Sequence, residues 1–185
     1  MLSGLKRKAL LLSLVDAMEK QGSWCGETHI QKCSYFLQAM LGVPLGFEFI
    51  LYKHGPFSFD LRDELTAMRA DAFLAVRVKD TSYGPTLSST LGPNHEVLSR
   101  YGQEEVTRYG RQILFVAEHL APKGVAELER LGTAVFVTCT EGAHDAETRA
   151  RRIHELKPHV SLEEARAAVE TVDALRAEAA KAGVI

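Results

Sequence analysis

The first 91 residues alternate between helical and strand-like patterns in one order, and this order limits the fold more than any other feature of the sequence. Helical segments carry apolar residues every three or four positions, whereas strand segments alternate and are rich in aromatic and β-branched residues. The segments are, in order, helices at about 5–20 and from Thr28, a strand at 47–52, a helix from Ser58 and strands at 73–78 and 86–91. Helix, helix, strand, helix and hairpin is the succession of a winged helix-turn-helix. We therefore predict an α+β fold, mostly α, with a winged-helix-like core and a small antiparallel sheet.

Capping residues set the expected helix boundaries in this part of the chain. Gly22 is suited to end the first helix, and Ser58 to cap the third. Thr28 and Gln31 have the spacing of a capping box, which predicts that the second helix begins at Thr28. The expected buried face of that helix consists of Ile30, Cys33, Leu37 and Leu41.

Helical patterns dominate after Gly92, which predicts C-terminal helices that pack on the core. Residues 133–139 fit either a buried strand or a helix, and we favour helix because the helical spacing continues from Val125. A short polar helix is expected at 145–156, and Ser161 with Glu164 forms a capping box for the last helix. The expected seam of that helix is Leu162, Ala165, Val169 and Val172, which either covers the core or pairs with a second copy as a homodimer. We predict a single domain over 1–185, with the winged-helix-like core at 1–91 and the helical extension at 92–185.

Charge and cysteine content restrict the environment and the partners. With 22 basic and 24 acidic residues the net charge is −2, so the chain has no general attraction for phosphate backbones. Three cysteines cannot all pair within one chain, which favours a reducing cytoplasm. The apolar run at 9–15 imitates a short signal peptide, but the helical pattern continues through Asp16 and Glu19. It is also much shorter than the roughly 20 residues that span a bilayer, so we expect a cytoplasmic protein without a membrane partner.

Two segments resemble the Panacea antitoxin-domain group, which includes the SocA-like and YwgA-like proteins. They are residues 29–36, HIQKCSYF, and residues 52–61, YKHGPFSFDL. The family pattern is a helix with hydrophobic-Gln-Lys-hydrophobic-x-Tyr, followed by a strand that leads into Gly-Pro-aromatic-Ser. Both segments match in order and spacing, although Cys33 stands where Leu is usual and His29 where Lys or Arg is common. The resemblance covers about residues 5–90.

The resemblance implies a helical protein with a small sheet that neutralises a toxin by binding it. It therefore predicts a non-enzymatic protein-binding module, the antitoxin of a toxin-antitoxin or phage-defence pair. Members without a known toxin also occur. The family-motif residues that are candidates for partner binding are Gln31, Lys32, Tyr35, Tyr52, His54, Gly55, Pro56 and Ser58.

Part of this motif has a structural alternative that the sequence leaves open. Gln31, Tyr35 and Gln38 share the helix face opposite Ile30 and Cys33. Either these three side chains form a stripe that faces a partner, or the Tyr35 ring packs on a neighbouring helix while the two amides face solvent. His54 could titrate near neutral pH and act as a ligand or base, but a tight corner at Gly55 and Pro56 is sufficient to explain the motif.

Enzymatic and metal chemistry have little support in the sequence. No sequence neighbour of His54 supplies an evident nucleophile or carboxylate pairing, and the sequence has no Gly-rich phosphate loop, metalloprotease helix or nucleophile elbow. Cys25, His29 and Cys33 are spaced by four, but Cys33 lies on the apolar stripe and a structural zinc site needs four ligands. We expect no catalytic residues, no cofactor and no metal, and keep an unrecognised enzyme as an alternative.

A DNA-binding regulator is the first alternative to protein binding. The third helix, which would enter the major groove, carries four acidic residues against two arginines, and phosphate would repel it. These are Asp60, Asp63, Glu64 and Asp71 against Arg62 and Arg69. A basic patch could still come from Lys6, Arg7 and Lys8, or from Arg149, Arg151, Arg152 and Lys157 near His144, His154 and His159. Both runs are equally consistent with solvated helix faces.

Overall fold

The computed structural model describes residues 3–78, 84–90, 92–142 and 145–185. Within these ranges the chain forms eight α-helices and four short strands. The first half contains α1 Gly4–Lys20, α2 Glu27–Tyr35, β1 Ile50–Tyr52, β2 Gly55–Phe57, α3 Phe59–Ala70, β3 Leu74–Arg77 and β4 Thr86–Ser89. The second half contains α4 Pro93–Tyr101, α5 Gln103–His119, α6 Val125–Val135, α7 Ala146–Leu156 and α8 Leu162–Lys181. The predicted α+β class, mostly α with small antiparallel sheets, is confirmed.

Helix α1 is the centre of the core. The predicted amphipathic helix is present, and its apolar stripe of Leu11, Leu14, Val15 and Met18 is buried. Leu10 and Leu12, which lie outside this stripe, are buried as well. The second side of α1 is covered because α4, α5 and β4 pack on it. A helix that is apolar on nearly all sides is typical of such a central position.

Helix α2 begins one residue earlier than predicted and without the predicted capping box. Gly26 is its N-cap, and no side chain caps the first turn, so the prediction for Thr28 was wrong. The predicted buried face is confirmed, since Ile30, Cys33, Leu37 and Leu41 are buried. The helix continues into a wider π-helical turn, Phe36–Met40, and α6 ends in a similar turn, Phe136–Thr140, which contacts it.

The strand predicted at 47–52 is shorter and has a partner that the sequence analysis missed. Only Ile50–Tyr52 forms a strand, and it pairs antiparallel with Gly55–Phe57 in a hairpin. Before Ile50, the backbone of Phe47 is bonded to the side chain of Gln38 and not to another strand. Ser58 caps α3 as predicted, because its hydroxyl accepts a hydrogen bond from Leu61 N–H.

The hairpin predicted at 73–78 and 86–91 is confirmed, with slightly shorter strands. Strands β3 and β4 pair antiparallel, with Leu74 opposite Ser89 and Arg77 opposite Thr86. Most of the predicted connecting loop, residues 79–83, lies outside the described residues.

The helical prediction for the second half is confirmed in type and corrected in number. The apolar spacing of Val106, Ile113, Ala117 and Leu120 predicts one helix between Pro93 and Pro122, but two helices, α4 and α5, occur there and are separated at Gly102. The segment 133–139 is helical, as α6 and its π-helical turn, and Ser161 with Glu164 forms the predicted capping box. Three residues of the α8 seam are buried and Leu162 is partly buried against the core, so this seam covers the core. Helix α8 packs on α6 and α7, and α6 packs on α2 and β2.

Candidate functional site

The segments that resemble the Panacea pattern meet at the hairpin of β1 and β2, because α2 and α6 both pack against β2. In the register of the hairpin, Leu51 lies opposite Pro56. Proline has no N–H, and the two residues form a non-hydrogen-bonded pair, in which the backbone N–H and C=O groups point away from the opposite strand. The Pro56 carbonyl therefore points away from β1, as do the N–H and carbonyl of Ser58 two residues later. The outer edge of β2 needs hydrogen-bonding partners, and α2 supplies them.

Gln31 provides two of these partners. Its Oε1 accepts a hydrogen bond from Ser58 N–H at 2.9 Å, and its Nε2 donates to the Ser58 carbonyl at 2.8 Å. Gln38, seven residues later, binds the N–H and the carbonyl of Phe47 in the same way, at 3.0 and 2.7 Å. Each amide thus makes the pair of bonds that a neighbouring strand would make. This use of the Gln31 side chain also explains why it does not complete a capping box with Thr28.

Tyr35, which stands between Gln31 and Gln38 in the sequence, is buried. Its ring packs edge-on against Phe49, with centroids 5.0 Å apart, and its hydroxyl is 3.4 Å from Thr140 Oγ1. Burial raises the pKa of Tyr35 to about 12. Of the two interpretations that the sequence left open, the partner-facing stripe does not fit Gln31 and Tyr35, because both side chains are buried against the chain's own residues. The Tyr35 ring packs within the chain, as in the other interpretation, but on Phe49 before β1 and not on a neighbouring helix, and Gln31 is buried and not in solvent.

Lys32 is a buried cation beneath the hairpin. Its Nζ donates to the Pro56 carbonyl at 2.7 Å, and the whole residue is only 1% exposed. Burial lowers the pKa of Lys32 from its ordinary value of 10.5 to about 8, an effect that Glu129 opposes and Lys157 strengthens. Lys32 therefore remains mostly charged at neutral pH.

Lys157 is a second buried cation at the same hairpin. Its Nζ donates to the carbonyls of Tyr52 and Lys53, at 2.7 and 2.6 Å, which fixes the turn of the hairpin to the end of α7. The Glu129 Oε1 atom lies 3.2 Å from this Nζ as an ion pair, although the geometry does not make a hydrogen bond. Glu129 is itself buried, and among the described residues it is the one carboxylate that pairs with Lys157 and the one whose charge raises the pKa of Lys32.

Two histidines flank Glu129 at the surface. His54 Nδ1 is 3.7 Å from Glu129 Oε2, and His159 Nε2 is 3.3 Å from Oε1. Their side chains are 61% and 62% exposed. We call the turn residues Lys53 and His54, together with His159, the hairpin tip.

Close backbone approach explains two glycines, Gly55 on the hairpin and Gly132 on α6. Gly55 has φ +85°, and a Cβ there would lie 3.3 Å from the Glu129 carbonyl oxygen. On the facing helix, a Cβ at Gly132 would lie 3.0 Å from Pro56 Cδ. The two glycines thus allow the hairpin to sit directly on α6, and Gly55 with Pro56 forms the corner that the sequence suggested.

The outward face of the hairpin is aromatic. Ile50 and Tyr52 point to the same side of β1, and Phe57 stands opposite Ile50 on β2, while Phe59 begins α3 directly afterwards. The ring centroids of Tyr52, Phe57 and Phe59 are 5.1–5.9 Å apart. Tyr52 is 54% exposed, Phe59 43% and Ile50 41%. We call Ile50, Tyr52, Phe57 and Phe59 the hairpin surface.

Arg62 borders the hairpin surface on α3. Its guanidinium lies over the Phe59 ring, 5.0 Å from the centroid, which is within the range of a cation–π contact. An aromatic cluster with an arginine at its edge has the composition that is enriched in the centres of protein interfaces.

The predicted site residues thus divide into two groups. Tyr52 and His54 are exposed, at the hairpin surface and the hairpin tip. The other six are buried and hold the hairpin in place: Gln31, Lys32, Tyr35, Gly55, Pro56 and Ser58. Sequence reasoning missed Phe57 and Phe59, although their alternation around Ser58 was a usable signal. It also missed Glu129 as the counterion of the hairpin, which no local pattern indicates.

The spacing of Cys25, His29 and Cys33 does not produce a metal site. No group of three or more metal-binding side chains occurs in the part of the chain that the structure describes. His29 Nε2 donates to the Lys123 carbonyl at 3.0 Å, and Cys33 is fully buried in the apolar core, where burial raises the pKa of its thiol. The alternative of a small buried thiol is therefore confirmed for Cys33.

The two basic runs are neutralised by acidic neighbours. In the first run, Lys6 pairs with Glu105 at 2.5 Å, and Arg7 and Lys8 pair with Glu64 and Asp71. The second run makes ion pairs at each of its cations: Arg149 with Asp173, Arg151 with Glu147, Arg152 with Glu141 and Lys157 with Glu129. His144 lies outside the described residues. Asp60 and Asp63 remain exposed on α3, which keeps that helix unsuited to a phosphate backbone.

The stability of the protein should rise with pH because of Lys32. Between about pH 8 and 10.5 the unfolded chain binds a proton that the folded protein has released, so raising the pH through this range favours the folded state. The full effect is at most about 3 kcal/mol. Relative to Lys32→Met, the wild-type protein should gain about 2 kcal/mol in free energy of unfolding between pH 7.5 and 9.5. Denaturant unfolding of both proteins measures this gain, and a difference that does not change with pH would contradict the burial of a charged Lys32.

The described residues therefore bring together a rigidly held aromatic surface and a positively charged tip. This arrangement can bind by burial of aromatic rings and by charge. None of the described helices is long and apolar enough to cross a membrane. No protein-family model matches the chain, and its sequence matches no curated protein.

Proposed function

We propose that this protein is a protein-binding module that presents the hairpin surface to its partner. The observation that carries the proposal is the cluster of partly exposed aromatic rings at Tyr52, Phe57 and Phe59. Aromatic residues and arginine supply most of the binding energy in protein interfaces, and they do so where several of them cluster. Burying half-exposed rings against a partner would also remove a large apolar area from water.

The buried contacts beneath the surface support this role. Gln31, Lys32 and Lys157 bind five backbone groups of the hairpin and of Ser58, so the rings are held in one arrangement before a partner arrives. A surface that is ordered in advance loses little conformational entropy on binding. Most residues of the Panacea-like motif would then hold the hairpin in place beneath the interface. Tyr52 would be the candidate motif residue that contacts the partner.

The resemblance to the Panacea antitoxin-domain group makes a toxin the first class of partner to test. Such a partner would be neutralised by direct contact with the hairpin surface. We further propose that the protein acts in the cytoplasm, since an odd number of cysteines fits a reducing compartment.

The experiment is a comparison of two double variants. Tyr52→Ala with Phe59→Ala removes the centre of the hairpin surface, whereas Val97→Ala with Tyr101→Ala removes two exposed apolar side chains of α4. The partner is first identified by purification from the host with and without nuclease, and its affinity for each purified variant is then measured by calorimetry.

We expect the Tyr52 and Phe59 variant to bind at least about 30-fold more weakly, because one interface hot spot is worth about 2 kcal/mol. The α4 variant should bind like the wild-type protein, and both should melt within a few degrees of it because the replaced residues are exposed. Unchanged binding by the hairpin variant, or partners that are lost on nuclease treatment, would reject the proposed function.

A further inference from the structure

The hairpin tip carries an excess of positive charge that the protein itself does not neutralise. Two buried ammonium groups, Lys32 and Lys157, share the single carboxylate of Glu129. Lys53 is exposed on the turn, and the nearby Arg130 is paired with Glu164 at 3.4 Å. Among the described residues, Lys32, Lys53 and Lys157 thus face one carboxylate, Glu129, whereas Arg130 and Glu164 cancel each other.

This charge is directed towards solvent at the tip. The single negative charge of Glu129, 3.7 Å from His54 and 3.3 Å from His159, offsets only part of the charge of the two buried lysines, and Lys53 on the exposed turn adds a further positive charge. Buried cations without full compensation attract an external anion. Burial is the main cause of the low pKa of Lys32, and the charge of Glu129 opposes it only in part.

The opposite end of the hairpin surface is acidic. Asp60 and Asp63 follow Phe59 on the exposed side of α3, and Asp63 is contacted only loosely by Arg62, at 3.5 Å. Across the hairpin surface the charge therefore changes from positive at the tip, through the apolar rings, to negative on α3. A ligand that lies across the rings will be oriented by this gradient.

We infer that the partner contributes a segment with acidic residues next to an aromatic or large aliphatic side chain. The carboxylates lie at Lys53, His54 and His159, and the apolar side chain packs on Tyr52, Phe57 and Phe59. This inference rests on the proposed function and adds the chemistry and direction of the partner segment. A nucleic-acid strand fits less well, because its phosphates continue past the rings and would meet Asp60 and Asp63.

The test is a selection of random twelve-residue peptides displayed on phage against the full-length protein. The same library is selected against three variants with exposed substitutions. These are Lys53→Glu with His159→Glu at the tip, Tyr52→Ala with Phe59→Ala on the rings, and Lys181→Glu at the exposed end of α8 as a charge-reversal control away from the hairpin. Circular dichroism and thermal melting confirm that each variant is folded.

We expect the wild-type protein and the Lys181→Glu control to select peptides in which Asp or Glu flanks an aromatic or aliphatic residue. One such peptide, labelled and measured by fluorescence anisotropy, should bind the tip variant about tenfold more weakly and lose affinity as salt is raised. Substitution of its acidic residues by Asn and Gln should remove the difference between wild type and tip variant.

The outcomes separate this inference from the proposed function. Peptides that depend on Tyr52 and Phe59 but are not acidic would overturn the inference and leave the proposed function standing. Selection that is indifferent to the ring variant would overturn both. A labelled dT12 oligonucleotide that binds at physiological salt, and is lost in the tip and ring variants, would overturn the inference in favour of nucleic acid.

Discussion

Glu129→Gln is expected to lower the free energy of unfolding by about 3–5 kcal/mol, the largest effect of any single polar substitution in the hairpin support. The amide is close in shape to the carboxylate but leaves Lys32 and Lys157 buried without a negative charge. Breaking a buried ion pair from one side costs more than removing an exposed pair, because the remaining charge stays in a medium of low polarity. Denaturant unfolding at pH 7.5 measures the loss.

Two comparisons make this prediction specific. Glu127→Gln removes the partner of Lys123 on the same helix, but that carboxylate is 43% exposed, so the loss should be below about 1 kcal/mol. The loss caused by Glu129→Gln should also shrink at pH 9.5, since a neutral Lys32 needs no counterion. Equal effects of the two glutamine variants would show that Glu129 does not compensate buried charge.

Gln31→Ala should lower the free energy of unfolding by about 2–4 kcal/mol, because two buried backbone groups of Ser58 lose their hydrogen-bonding partner. Each unsatisfied buried group costs roughly 1–3 kcal/mol, and the space left by the side chain is closed to bulk water. The measurement is chemical denaturation, with partner binding assayed well below the unfolding transition.

Gln103→Ala is the matched control, since this glutamine is exposed and, within the described part of the chain, its side chain hydrogen-bonds to Thr107 alone, at 3.2 Å. Its effect should stay within about 0.5 kcal/mol. If Gln31→Ala retained full stability and lost partner binding, Gln31 would have to lie in the interface, which is one of the two interpretations that the helix periodicity left open.

Local signals in the sequence were sufficient for most of the secondary structure. The period of α1, the Ser58 cap of α3 and the capping box at Ser161 each depend on residues within one or two turns, so their chemistry can be recognised directly. The helix at 133–139 could be predicted for the same reason, because its apolar spacing continues from Val125.

The failures share a different cause, which is competition from distant residues. Thr28 and Gln31 have the spacing of a capping box, but Ser58, 27 residues later, takes the Gln31 amide. Strand β2 was missed because Pro56 argues against a strand, and only the contacts with Lys32 and Gly132 show how its carbonyl is satisfied. The link from Glu129 to Lys157 joins two helices that no local pattern connects.

The side-chain amide and ammonium groups that occupy the outer edge of β2 also bear on solubility. An exposed strand edge is a template on which other chains can add and from which aggregates grow. Gln31 and Lys32 fill this edge from within, so no foreign strand can pair with Pro56 and Ser58 while α2 remains folded. Variants that remove the side-chain hydrogen bonds of Gln31 or Lys32 to β2 and Ser58 would expose unpaired backbone groups next to three aromatic rings. Such proteins are expected to aggregate on heating, even where their loss of stability is modest.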